Sequence, residues 1–155
     1  MPWLERNIDT LSERLGLSLE FVEREKSAGP FSVDILAEEE GRQAIIECQF
    51  GKSDHDHLGK VLTYLTNLDA TIAIWICEDP RPEHMDAVNW LNEFSPKDVS
   101  FYLVKLEGIR IGDSNHAPLF SVVCSPSEYT KKLGEKKRGI AEAQTEAQEK
   151  RLTFW

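Results

Sequence analysis

Several classes of protein are excluded by what this chain lacks. It has three cysteines, Cys48, Cys77 and Cys124, each inside an apolar run and without metal-ligand spacing. An odd count placed this way argues against a disulfide framework or a zinc finger, and for reduced, buried thiols and a cytoplasmic home. No apolar run approaches the roughly 20 residues that a membrane helix needs, so no membrane is expected. The start, MPWLERNIDT, is acidic-polar and helical in character rather than a secretory signal. Positive charge is also scarce, with 18 Lys and Arg against 27 Asp and Glu and a net charge of −9. That balance is awkward for a binder of phosphates, which need local Lys and Arg. It is uneven, however. Residues 131–155 carry seven basic and four acidic side chains, so this tail is +3 and the remainder −12.

What is present fits one soluble domain. The chain has 155 residues, 41% hydrophobic and 29% charged, enough to bury a core. Pro2 suits a first helical position, and Leu4, Ile8, Leu11 and Leu15 form one amphipathic stripe that stops at Gly16. Leu17, Leu19 and Phe21 alternate with polar residues as a first strand. FSVDILAEE reads as a second strand, with Phe31, Val33 and Ile35 on one face. Glu40-Gly41 marks a turn, and QAIIECQF is a third strand. Ser53, with Asp56 three residues on, resembles a capping box opening a helix whose stripe is Leu58, Val61, Leu62 and Leu65. TIAIWIC looks like a central strand covered on both faces. Pro82 starts a helix with Val88, Leu91 and Phe94 inward, and VSFYLVKL and LFSVVC supply two more strands. The order α-β-β-β-α-β-α-β-β implies an α/β (α+β) domain with a mixed sheet flanked by helices. Its expected limits are 1–130. Residues 131–155 read as a helical or flexible tail ending on Leu152, Phe154 and Trp155, apolar residues that expect a partner surface such as a further C-terminal domain.

The strongest local signal is a pair of carboxylates. A hairpin turning at Glu40-Gly41 pairs residues whose numbers sum to 81, which sets Asp34 opposite Glu47. Like charges directly across a ladder repel, and Asp is depleted inside strands, yet Asp34 lies between Val33 and Ile35. A bound cation turns that repulsion into coordination. Mg²⁺ suits the pair, since it takes a few carboxylates, keeps waters and bridges phosphate oxygens. An exposed polar strand face explains the same residues without a metal. Gln49 shares the face of Glu47 by strand period. On the following helix, His57, Lys60 and Tyr64 share a flank, although Lys60 also reads as a surface partner of Asp56 and Tyr64 as a core-edge aromatic. Gly51-Lys52-Ser53 lacks the upstream glycine of a phosphate loop, and His55 and His57 at i, i+2 favour a solvated helix start over zinc. His84 and His116 read as surface-loop residues.

These residues together resemble the PD-(D/E)XK phosphodiesterase superfamily, which includes restriction endonucleases and RecB-like nucleases. The matching pieces are VDI with Asp34, ECQ with Glu47 and Gln49, and the stretch Lys60 to Tyr64 where many members have Gln-x-x-x-Tyr. SDHDHLGKVLTYLTNLDA, PEHMDAVNWLNE and IRIGDSNHAPLFSVV are similar to an uncharacterised prokaryotic family of that superfamily, in which the nuclease-like domain precedes a second helical domain. The resemblance implies a restriction-endonuclease-like αβββαβ core with extra strands. It also implies a metal-dependent nuclease acting on nucleic acid, DNA before RNA, with a homodimer among the assemblies it allows. Asp34, Glu47 and the Cys48 carbonyl would hold Mg²⁺ or Mn²⁺, and Glu5 on the first helix would stand close by. Gln49 replaces the usual lysine, and Lys60 replaces the usual helical glutamine, so the lysine's work would pass to the helix beside Tyr64. The alternative implied by Gln49 is a catalytically silent module that binds nucleic acid or a protein.

Overall fold

The computed structural model describes residues 2–28, 30–109 and 117–127, and in the tail residues 136, 139, 140 and 143–145. The loop expected around His116 and most of the tail lie outside the described residues. Ten elements follow in order: α1 (Pro2–Arg6), α2 (Ile8–Leu15), β1 (Leu19–Ala28), β2 (Phe31–Glu39), β3 (Arg42–Lys52), α3 (His55–Asn67), β4 (Ile72–Asp79), α4 (Pro82–Phe94), β5 (Ser100–Ile109) and β6 (Ala117–Cys124). The strands form one mixed sheet in sequence order. β1, β2 and β3 are antiparallel, β3, β4 and β5 are parallel, and β6 returns antiparallel beside β5. The parallel steps need crossovers, and α3 and α4 provide them.

Helices cover both faces. Val61, Tyr64, Leu65 and Val88 of α3 and α4 pack with Ile45, Trp75, Cys77 and Leu103 on one face. Leu4, Ile8 and Leu11 of α1 and α2 pack with Ile46, Ile74, Ile76 and Phe120 on the other. β4 is therefore buried at every position from Ile72 to Cys77, as its continuous apolar run requires. Ile45 points to the α3 and α4 face, so strand period places Glu47 and Gln49 on that face too.

Three local expectations are corrected. The first helix is two, because Asn7 leaves helical geometry (φ −108°, ψ 15°) and its side chain bonds back to the Trp3 carbonyl at 2.7 Å. The apolar stripe could not reveal this, since Leu4, Ile8 and Leu11 stay buried across the break. The cap of α3 is Asp54 rather than Ser53, and it accepts the His57 amide. Val33 and Ile35, expected on one face, belong to opposite cores. The strand turns between them, at Asp34. The hairpin itself is as read: Glu40 and Gly41 both have positive φ (50° and 83°), the conformation a two-residue loop between twisted strands requires.

Candidate active site

The β2–β3 ladder carries the register that sums to 81, from Glu39 opposite Arg42 to Ile35 opposite Ile46. One step further the backbone ladder gives way to side chains. The Asp34 amide donates to Glu47 Oε1 at 2.9 Å, and the Cys48 amide donates to Asp34 Oδ2 at 2.9 Å. Each acid thus accepts a backbone N–H from the opposite strand. On the other side of β2, Glu25 has φ 51° and sits between Arg24 and Lys26, which pair with Ile35 and Val33. The β1–β2 register itself runs unbroken past Asp34.

Burial sets the electrostatics. Glu47 is 4% exposed. Desolvation first, and then the neighbouring Asp34 charge, push its pKa up to about 8, with the Lys60 ammonium pulling the other way without prevailing. Lys60 forms an ion pair with Asp56 at 3.3 Å, the surface pair its spacing allows. Tyr64 is buried beneath it, its hydroxyl pKa raised by burial and then by Glu47. A cavity of about 310 Å³ follows this flank of α3, lined by His55, Asp56, Gly59, Lys60, Thr63 and Tyr64. The spacing of Lys60 and Tyr64 therefore does bring them to the same side as Glu47.

The other expected residues are placed differently. Gln49 shares the face of Glu47, but its amide turns toward the core and the β3–α3 loop. Oε1 accepts from Trp75 Nε1 at 3.0 Å, while Nε2 donates to the Lys52 carbonyl at 2.7 Å and to Asp54 Oδ2 at 2.9 Å. Glu5 pairs with Arg24 of β1 at 3.1 Å. Cys48 continues the parallel ladder opposite Ile76, and burial pushes its thiol well above the ordinary range.

Two clusters form at the start of α3, where the sequence favours a solvated helix start over a metal site. Asp54, Asp56 and His57 offer ligand atoms within 4.8 Å of one another, a group able to hold a metal ion among the described residues. Protein partners already engage them: Asp54 Oδ1 takes both the amide and Nδ1 of His57, at 2.7 and 2.8 Å, and Asp56 holds Lys60. Burial pushes Asp54 up, but the hydrogen bonds from His57 outweigh it and leave the pKa lowered. The second cluster is a chain, Ser53 Oγ to His84 Nδ1 at 2.6 Å and His84 Nε2 to His55 Nδ1 at 2.7 Å, with the Arg81 amide donating to Ser53 Oγ at 2.8 Å. Read as a surface residue, His84 is in fact 1% exposed. The available signal was its place one turn into α4, on the inward side shared with Val88.

No family model and no curated protein matches the chain. Among solved structures, a repair endonuclease from Pyrococcus abyssi superposes on it with a TM-score of 0.55 and 15% identity over 68% of this chain and 44% of that one. The likeness is one of fold. The chain spans less than half the length of that protein.

Proposed function

We propose that this domain is a divalent-metal-dependent nuclease that hydrolyses phosphodiester bonds of nucleic acid, DNA in the first instance. The observation that carries the reading is the meeting of Asp34 and Glu47 across β2 and β3, each fixed by the other strand's amide. It is supported by the fold shared with a repair endonuclease. Two oxygen ligands side by side, one buried and held protonated near neutral pH by its surroundings, suit a hard cation that restores the ionised form. Asp34, Glu47 and the Cys48 carbonyl would hold Mg²⁺ or Mn²⁺. When bound, such an ion lowers the pKa of a water and offsets charge on the phosphate. Lys60, leaving Asp56, would offset charge on the scissile phosphate. Tyr64 would form the buried wall beneath it. Gln49 would act by holding the β3–α3 loop, and Glu5 would take part only by leaving Arg24. The domain, residues 1–130, would precede a second domain.

The test is cleavage of plasmid and oligonucleotide DNA with Mg²⁺ or Mn²⁺, together with Mn²⁺ calorimetry. Asp34→Ala should lose both metal binding and cleavage. A parent protein that binds Mn²⁺ no better than Asp34→Ala would sink the reading. One observation favours a second reading, a silent module that binds nucleic acid: the Gln49 amide is taken up by Trp75, Lys52 and Asp54, so it does not substitute for a lysine beside the carboxylates. In that case Gln49→Lys cuts and the parent does not.

A further inference from the structure

The carboxyl ends of the parallel strands β3, β4 and β5 lie along one edge of the sheet. There the structure has an open cavity of about 790 Å³ that shares no lining residue with the groove beside α3. Its walls include Trp3 of α1, Asn7, Phe50 at the end of β3, Glu78 at the end of β4, and Lys105 and Glu107 of β5. Phe50 is 68% exposed and lines this cavity. Trp3 is backed by Phe120, with ring centroids 6.5 Å apart and planes 15° from parallel. Lys105 is paired with Glu107 at 3.1 Å, so the polar lining is net acidic. An acidic lining repels phosphate and accepts hydrogen bonds. Flat aromatic walls combined with carboxylate and amide acceptors match a nucleobase, whose faces stack and whose amino groups donate.

We propose that this groove takes an unstacked base of the substrate strand, making the substrate a nucleic acid with a single-stranded or splayed segment beside the point of cleavage. The inference rests on the nuclease reading of Asp34 and Glu47. Continuity along β3 supports it: Phe50 is three residues past Glu47 on the same strand and faces the other side of the sheet, about 10 Å along. A short run of unstacked nucleotides bridges that span over the sheet edge, whereas a stacked duplex cannot present a base face there.

The experiment is fluorescence anisotropy of labelled single-stranded and blunt duplex oligonucleotides in EDTA, using the full chain. The expected result is preference for the single strand. Phe50→Ala should weaken single-strand binding roughly 5- to 150-fold, the loss of one stacked base, and leave duplex binding unchanged. Phe50→Trp should retain it. Because Phe50 is exposed, the Ala variant keeps the fold, which a melting curve checks. Equal loss for single strand and duplex, no loss at all, or a parent that prefers duplex overturns the proposal. Asp34→Ala separates the two claims, since it should bind single strand like the parent while cutting nothing. A parent that binds single strand through Phe50 yet never cuts retains the base site and defeats the nuclease. A parent that cuts DNA while Phe50→Ala binds and cuts equally well does the reverse.

Discussion

The indole of Trp75 donates to Gln49 Oε1 at 3.0 Å, deep in the core between β3 and β4. This bond ties Gln49 to the sheet interior and not to the Glu47 carboxylate two residues back. The other end of the same amide reaches Asp54, the cap of α3. One side chain thus links the core, the candidate catalytic strand and the helix bearing Lys60. Trp75→Phe should remove that link and leave a small cavity in the core. The expected cost is about 1–3 kcal/mol, the penalty for a buried acceptor left without its donor, read by urea unfolding. A loss no greater than that of an ordinary conservative surface change would show that the bond does not matter.

The raised pKa of Glu47 has a consequence for stability. Its folded value is about 8 against an ordinary 4.5, so between these values the folded protein holds a proton that the unfolded chain has released. Stability from this group is therefore complete below about pH 4.5 and is lost as pH rises through about 8. Thermal melts in EDTA from pH 5 to pH 9 should show this decline, and Glu47→Gln should flatten it. Adding Mn²⁺ should restore the parent at high pH, because a ligand that binds only the folded state stabilises it. A parent and Glu47→Gln with parallel melting profiles would contradict the assignment.

Lys60 separates an enzyme from a silent relative. Lys60→Ala should lower the rate of metal-dependent cleavage about 10²–10³-fold, as loss of one electrostatic donor does, with Mn²⁺ affinity nearly unchanged. Asp56→Asn releases the ammonium from its 3.3 Å ion pair and should leave cleavage equal or faster. Unchanged cleavage in Lys60→Ala would reduce Lys60 to the surface partner of Asp56.

His84 should be among the most sensitive positions outside the candidate site. Its ring is fully enclosed, bonded to Ser53 and His55, and lies against Trp75 with centroids 5.4 Å apart. His84→Ala leaves a cavity and two polar groups without their partner, so a loss of about 2–4 kcal/mol is expected in urea unfolding. The same variant should leave Mn²⁺ affinity close to the parent's, since the chain joins the starts of α3 and α4 and does not touch Asp34 or Glu47. A loss below about 1 kcal/mol would mean the chain is replaced by water.

Some of this molecule is determined by sequence alone, and the division has a physical basis. Local rules suffice where one element repeats a period. The continuous apolar run of β4, the glycine stop of α2, the Glu40-Gly41 hairpin and the register it imposes on Ile35 and Ile46 all follow from neighbours in the chain. Asp34 and Glu47 were legible for the same reason, since a short hairpin leaves one way to pair two strands. Tertiary structure decided everything that depends on a partner distant in sequence. Gln49 could not be read because Trp75, 26 residues on, takes its amide. His84 could not be read because Ser53 and His55 reach it from 31 and 29 residues away. The groove at Phe50 exists only because α1, three parallel strand ends and β6 meet at one edge. A side chain's period tells which face it is on, but only the fold brings the atoms that satisfy it, and a polar group goes where its hydrogen bonds are met.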